Sequence, residues 1–436
     1  MLWKRKKRKD IFKVELLRLT TAGSVDDGKS TLIGRLLCDC HAIYEDQLVA
    51  AKLTSERKGL KETDLALLLD GLSSEREQGI TIDVAYRYFS TPKRRFIIAD
   101  VPGHEQYTRN MVTGASMANL AIILIDATRG LLTQAKRHLF ISSLLQIPHI
   151  LVAINKMDAV SYDPRIFEKI KEDVSVFASK LRFKDLQFIP ISALKGDMIV
   201  ERKENMSWYG GYTLLHFLEN LHIGSDRNLI DFRFPIQMVL RPDSTFRGYA
   251  GRVEGGVIKK GDDVAILPSG RKTRVKSIIT YEGELERAFE PQSVVLTLED
   301  HVDASRGDMI VRQKNLPEVG REFEVALCWL SEEPLQENKI YLIKHTTKTT
   351  RGFVSSLRYK INVDTLHRTS AKGLELNELG RAYLKVHEPL MFDTYERNRN
   401  TGSLILIDEF TQNTVGAAII WDHSSKVELL EEGTHA

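Results

Sequence analysis

The stretch Gly23-Ser24-Val25-Asp26-Asp27-Gly28-Lys29-Ser30 lies between the apolar segment Val14-Glu15-Leu16-Leu17-Arg18-Leu19 and the helix-like run Thr31-Leu32-Ile33-Gly34-Arg35-Leu36-Leu37. It fits G-x-x-x-x-G-K-[ST] at a strand-to-helix junction, the context in which that pattern cradles the phosphates of a nucleoside triphosphate. Gly23 and Gly28 let the backbone turn its N–H groups onto the phosphates, and Lys29 places a cation on the β/γ oxygens. Ser30 offers a hydroxyl to Mg²⁺, and the helix N-terminus adds its dipole. Ser24, Val25, Asp26 and Asp27 complete the cradle. The carboxylates of Asp26 and Asp27 would repel phosphate, so their side chains are expected to point away while their N–H groups face inward.

Further along, the apolar strand Phe96-Ile97-Ile98-Ala99 runs into Asp100-Val101-Pro102-Gly103-His104. This is a D-x-x-G pattern: a carboxylate at a strand end that organises Mg²⁺, then a glycine whose N–H can face a γ-phosphate. Between it and the phosphate cradle lies Gly79-Ile80-Thr81-Ile82, preceded by the charged stretch Ser73-Ser74-Glu75-Arg76-Glu77-Gln78. Its position makes Thr81 the residue expected to close over the metal when the γ-phosphate is present, so that the order of this segment reports the bound nucleotide. Ser30, Thr81 and Asp100 are the expected metal-organising set, with Lys29, Thr81 and His104 the expected catalytic one.

A second strand-like run, His149-Ile150-Leu151-Val152-Ala153-Ile154, ends in Asn155-Lys156-Met157-Asp158. That tetrapeptide points to the base. Asp158 can accept hydrogen bonds from N1 and N2 of guanine, a donor pair that adenine lacks, and a wrong base would leave a buried polar group unpaired. Asn155 is expected at N7, with the Lys156 stem on the ring face. After Phe188-Ile189-Pro190-Ile191, the backbone N–H groups of Ser192-Ala193-Leu194 suit the guanine O6. The order and spacing of the motifs are those of a GTPase.

His104 after D-x-x-G, with G-I-T-I before it, resembles the translation-factor class of GTPases, in which a histidine replaces the water-positioning glutamine. Within that class the closest likeness is to the GTPase (large, regulatory) subunits of bacterial sulfate adenylyltransferases. It is carried by Gly23 to Leu37 with Asp27 where elongation factors usually have histidine, by S-E-R-E-Q-G-I-T-I-D-V-A-Y-R-Y-F from Ser74 to Phe89, and by D-V-P-G-H-E-Q-Y-T-R-N-M-V-T-G-A-S from Asp100 to Ser116. The likeness continues to about Ala418 and includes Phe246 to Gly251 and Thr401 to Asp408.

The resemblance implies a GTP-hydrolysing subunit with Mg²⁺ as cofactor. Its partner would be a smaller catalytic subunit that joins ATP and sulfate into adenylylsulfate and pyrophosphate, an uphill step to which GTP hydrolysis would be coupled. Some relatives continue into an adenylylsulfate kinase domain; with one phosphate-loop pattern and its last residue at Ala436, this chain is expected to lack that second activity. His104 would orient the attacking water. No arginine stands out as catalytic, so hydrolysis should be slow until a partner orders the switch or supplies charge in trans. The rival reading is an elongation-factor-like GTPase delivering tRNA, a class in which Trp208-Tyr209-Gly210 also occurs.

At 436 residues the chain has room for about three domains of ~150 residues. Residues 1–15 read as a basic tail containing Lys4-Arg5-Lys6-Lys7-Arg8-Lys9. Residues 16–226 alternate strand-like and helical patterns, such as Ala135 to Leu145 and Ile166 to Leu181, and predict an α/β phosphate-loop GTPase domain with a doubly wound, mostly parallel sheet. Short strands with Gly-rich turns then predict two all-β barrels, 227–315 and 316–436, the second with a short C-terminal tail, so that the whole is elongation-factor-like. Without the basic hexad, 56 Lys and Arg face 59 Asp and Glu, a net charge of −3 that argues against nucleic acid as the main partner. Cys38, Cys40 and Cys328 form no disulfide framework, and Cys38-x-Cys40 lacks further metal ligands. No apolar run reaches the ~20 residues of a membrane span, and no signal-peptide core follows Met1. A cytoplasmic location is the consistent expectation.

Overall fold

The computed structural model describes residues 15–43, 45–57, 63, 65–68, 84–102, 108–224, 228–243, 246–362 and 365–423. The chain divides into two units, the first ending at Ile223 and the second beginning at Gly224.

The first unit is built on β1 (Leu16–Gly23), β2 (Ala85–Ser90), β3 (Arg95–Asp100), β4 (Leu120–Asp126), β5 (His149–Asn155) and β6 (Asp185–Pro190), in the sheet order β2-β3-β1-β4-β5-β6. All neighbours are parallel except β2 and β3, which form an antiparallel hairpin at the edge. Every residue of β4 and β5 is buried, which explains why these runs are continuously apolar rather than alternating. The helices are α1 (Lys29–Asp39), α2 (Glu45–Arg57), α3 (Thr108–Ala115), α4 (Thr133–Leu144), α5 (Pro164–Ala178) and α6 (Leu214–Asn220). Helix α5 starts where Asp163 accepts the Arg165 N–H at 2.9 Å and Pro164 supplies the preset φ of a first helical residue; Phe167, Ile170, Val174 and Phe177 then repeat along its buried face. The closing helix α6 is fastened by Arg94, whose Nη1 donates to the carbonyls of Leu218 and Leu221 at 2.9 and 2.6 Å.

Strand order fixes where a ligand can sit. The chain passes from β1 to β3 on one side and then crosses to β4 on the other, so the turn after β1 opens at a topological switch point, the crevice at the carboxyl ends of the strands that binds nucleotides in open α/β sheets. Cys38 lies in the last turn of α1 and Cys40 just beyond it, both as free thiols, and burial pushes the Cys40 thiol up to about 11.

Among the described residues the second unit is built of two all-β regions, each on a seven-stranded sheet, and the first also carries a separate two-stranded sheet. The first comprises β7 (Arg233–Leu240), β8 (Gly248–Arg252), β9 (Val257–Lys259), β10 (Asp263–Leu267), β11 (Arg271–Thr280), β12 (Gly283–Leu285), β13 (Arg287–Phe289), β14 (Ser293–Leu298) and β15 (Met309–Arg312). Its order is β10-β15-β7-β8-β14-β11-β12, and the additional β10–β11 pairing closes it into a barrel, with β9 and β13 paired separately. The second comprises β16 (Glu318–Trp329), β17 (Ile340–His345), β18 (Lys348–Ile361), β19 (Arg368–Thr369), β20 (Leu379–Phe392), β21 (Ser403–Ile407) and β22 (Thr414–His423). Here the β17–β18 pairing closes β17-β21-β22-β16-β20-β18. Each barrel has its own apolar core, around Phe234, Tyr249 and Leu296 in the first and Phe323, Trp329 and Leu384 in the second. Among the described residues no helix is long and apolar enough to cross a membrane.

The barrels are joined by polar bonds beside a small apolar seam, in which Met391 packs on Ala265, Leu267, Met309 and Val311. Arg233 and Asp393, both 0% exposed, meet in a two-pronged pair, Nε to Oδ2 and Nη2 to Oδ1, each at 2.8 Å. Arg233 Nη1 donates to the Asn315 carbonyl at 2.9 Å, and Thr401 Oγ1 donates to Asp393 Oδ2 at 2.8 Å, so both ions are satisfied beyond their mutual contact. Replacing Asp393 by Ala would leave the guanidinium buried without a counter-ion, a change worth about 3–5 kcal/mol. Denaturant unfolding of Asp393→Ala should show a loss of that size. Asp231→Ala, which removes the half-exposed Arg397 as a partner, should cost distinctly less.

Candidate nucleotide-binding site

The loop from Gly23 to Ser30 leaves β1 and enters α1, as the sequence pattern requires. Two glycines are forced by neighbours. A Cβ on Gly23 would stand 2.9 Å from the Leu124 carbonyl, and one on Gly28, whose φ is +90°, would stand 2.5 Å from Asn155 Nδ2. Lys29 is buried and its Nζ donates to the carbonyls of Gly23 and Ser24 at 3.0 and 2.8 Å, which draws the ammonium across the loop. Burial lowers its pKa, opposed by the carboxylates of Asp100, Asp27 and Asp26. His138 on α4 is also buried, and burial together with the nearby Lys29 and Arg137 charges pushes it down to about 3, so it stands neutral near the lysine.

Asp26 is exposed, at φ +67°. Asp27 differs. It is 2% exposed, and its Oδ2 accepts the Ser24 N–H at 2.6 Å, so the side chain folds back under the loop instead of leaving it. Burial raises its pKa, ahead of the Ser24 bond and Lys29, which lower it. Val25 is half-buried between them.

Asp100 ends β3 at 3% exposure, and Thr21 Oγ1 from β1 donates to its Oδ1 at 3.1 Å. The Ser30 hydroxyl has no hydrogen bond among the described residues. An oxygen-only pair of this kind fits a hard divalent cation such as Mg²⁺. The side chain of Val101 is wholly buried, and Pro102 follows it. Thr81, Gly103 and His104 lie outside the described residues.

The residues expected at the base are linked by hydrogen bonds. Asn155 at the end of β5 donates from Nδ2 to the Asp27 carbonyl at 2.8 Å, and its Oδ1 accepts the Ala193 N–H at 2.9 Å. Ser192 Oγ donates to Asp158 Oδ1 at 2.6 Å, which aims the carboxylate. Lys156 adopts φ +62°, and its Nζ lies 2.8 Å from Asp126 Oδ2, which extends the stem. Burial raises the Asp126 pKa, but the bonds from Lys156 and Thr128 outweigh it and hold the carboxyl below its usual range. The Met157 side chain is fully buried, so only its backbone belongs to the site.

Of the three N–H groups expected at the guanine O6, two are committed inside the protein: Ser192 donates to the Asp197 carbonyl at 3.2 Å and Ala193 to Asn155. The Leu194 N–H alone has no acceptor among the described residues. Sequence reasoning missed what braces this loop. Tyr162 donates its hydroxyl to Asp197 at 2.6 Å, and Trp208 Nε1 donates to the Tyr162 carbonyl at 3.0 Å. Arg35 on α1 donates from Nε to the Ala193 carbonyl at 3.2 Å and from Nη2 to the Leu194 carbonyl at 2.6 Å. Trp208 was visible as part of an aromatic run; nothing local to Arg35 marks it.

Comparison with known proteins agrees with this geometry. The family described as elongation factor Tu GTP binding domain matches residues 14–225, elongation factor Tu domain 2 matches 249–311, and the GTP-eEF1A C-terminal domain-like family matches 322–421. The bifunctional enzyme CysN/CysC of Rhodopirellula baltica is 56% identical over 415 residues, and the chain spans 64% of its length and 94% of its own. Sulfate adenylyltransferase subunit 1 of Alteromonas mediterranea is 56% identical over 412 residues, covering 94% of this chain and 88% of that protein. Its counterpart in Bacteroides fragilis is 54% identical over 417 residues, covering 95% and 88%. At that identity and coverage, the chain belongs to the sulfate adenylyltransferase subunit 1 family, a branch of the elongation-factor-Tu-like GTP-binding proteins.

Proposed function

We propose that this chain is the GTP-hydrolysing subunit of a sulfate adenylyltransferase, in which a separate, smaller subunit makes adenylylsulfate and pyrophosphate from ATP and sulfate in the cytoplasm. The observation that supports the nucleotide half is the pair of hydrogen bonds joining Asn155 to the Asp27 carbonyl of the phosphate loop and to the Ala193 N–H, beside the Ser192 hydroxyl that donates to Asp158. The partner half rests on family membership.

Lys29 and the loop N–H groups bind the phosphates. Ser30 and Asp100, together with Thr81, would hold Mg²⁺, which would supply positive charge to the phosphoryl oxygens. His104 orients the attacking water. Aiming of Asp158 by Ser192 makes selection of guanine a matter of leaving adenine's edge unpaired.

Reconstitution tests the division of labour. The chain alone should form no adenylylsulfate, and adding the small subunit should give synthesis stimulated by GTP; a sulfate-dependent product from this chain alone would refute it. Titration calorimetry with Mg²⁺ should find GTP and GDP preferred over ATP by on the order of 10⁴, the discrimination available to a site that pairs a substrate N–H. Asp158→Asn should shift the preference toward xanthine nucleotides, whose N1–H and O2 suit an amide. His104→Ala should leave GTP affinity nearly unchanged while hydrolysis in the complex falls by about 10² or more, because a group acting on the transition state is removed without loss of ground-state binding. A wild-type rate in that variant would move the water-orienting role elsewhere.

A further inference from the structure

The Leu194 N–H belongs to the peptide unit whose carbonyl is that of Ala193, and this bond is trans. In a planar trans peptide the C=O and N–H point in opposite directions, so a group that captures the carbonyl also aims the N–H. Arg35 captures it, with Nε 3.2 Å from the Ala193 carbonyl, and takes the next carbonyl, that of Leu194, through Nη2 at 2.6 Å. The guanidinium is steadied by Asp39 one helical turn on, at 3.7 Å. Gly196 turns the loop beside it at φ +75°, and a Cβ there would stand in ordinary contact with the arginine Cδ and Nε at 3.6 and 3.7 Å. A charged donor on a carbonyl also polarises its peptide and strengthens the N–H on the far side.

We propose that Arg35 is the positioning residue for recognition of the guanine O6: from the helix that carries Lys29 and Ser30, it fixes the peptide plane that presents the Leu194 N–H to the base. This rests on the guanine reading above. It also makes base recognition depend on α1, the element that receives the phosphates, so that the base loop and the phosphate helix move as one.

The test is Mg²⁺-dependent binding of GDP, 6-thio-GDP, IDP and ADP to the full chain, for wild type, Arg35→Ala and Arg35→Lys, with thermal unfolding of each. 6-Thio-GDP keeps N1–H and the 2-amino group but carries a weak acceptor at position 6; IDP keeps O6 and loses the amino group that Asp158 reads. Wild type should bind 6-thio-GDP about tenfold more weakly than GDP, the worth of one hydrogen bond. In Arg35→Ala, GDP affinity should fall and the sulfur penalty should shrink toward one, while the IDP penalty stays at the wild-type value. Arg35→Lys keeps the charge but lacks the fork that reaches both carbonyls, and should fall between. A merely structural role would weaken all four nucleotides together and leave the ratios fixed, which overturns the proposal. Should Arg35→Ala fail to fold, Arg35→Lys decides: a reduced sulfur penalty supports the assignment and an unchanged one refutes it. Equal binding of ADP and GDP by wild type would remove the guanine reading itself, and this inference with it.

Discussion

One planar amide ties the two halves of the nucleotide site together. Asn155 reaches forward with Nδ2 to the carbonyl of Asp27 in the phosphate loop and sideways with Oδ1 to the N–H of Ala193 in the loop after β6. Three strand ends are thereby held at hydrogen-bonding distance by a side chain with only two rotatable bonds. Gly28 has to be glycine for this reason as much as for its left-handed φ, since any side chain there would push against the amide nitrogen. An amide satisfied at both ends is also stiff, which suits a site that discriminates by leaving the wrong partner unpaired. The same loop that Asn155 anchors by an N–H is anchored by Arg35 through its carbonyls, so its peptide planes are fixed from two directions.

What could be read from the sequence was what is local. The phosphate loop, the D-x-x-G run and the N-K-M-D tetrapeptide each sit within a few residues, at a strand end whose apolar run announces it. Strands β7, β10 and β14 lie in the region where short strands with Gly-rich turns are expected. Reading fails where a contact spans the chain or a rule is locally broken. Arg35 meets its carbonyls 158 and 159 residues away, and nothing near it says so. Strand β20 runs on to Phe392 although Pro389 argues for a stop near Val386. The ladder to β16 shifts register there, from Lys385 opposite Glu322 to Leu390 opposite Gly320, so that the proline owes the sheet no N–H. Strand β22 goes unnoticed because Val415-Gly416-Ala417-Ala418-Ile419-Ile420 shows neither period. Small residues serve it because Leu327 and Leu406 come close to Gly416. The inward fold of Asp27 is hidden for a different reason: repulsion from phosphate is legible in the residue type, whereas the Ser24 N–H that its carboxylate accepts is supplied only by the folded loop.

The two barrels show how a seam is given a single solution. Apolar contact alone is tolerant. Met391 could slide by an ångström or more over Ala265, Leu267, Met309 and Val311 and lose little, because dispersion and water exclusion have no direction. The fork of Arg233 on Asp393 tolerates no such slip: both N–H···O bonds are made at 2.8 Å only when two planar groups lie edge to edge, and at 0% exposure no water replaces a bond that is lost. The ion pair thus acts as a dowel rather than as glue, giving little adhesion of its own but permitting one alignment. A closed barrel pinned to another in this way transmits a push at one rim as a displacement of the pair, where a sliding joint would have absorbed it.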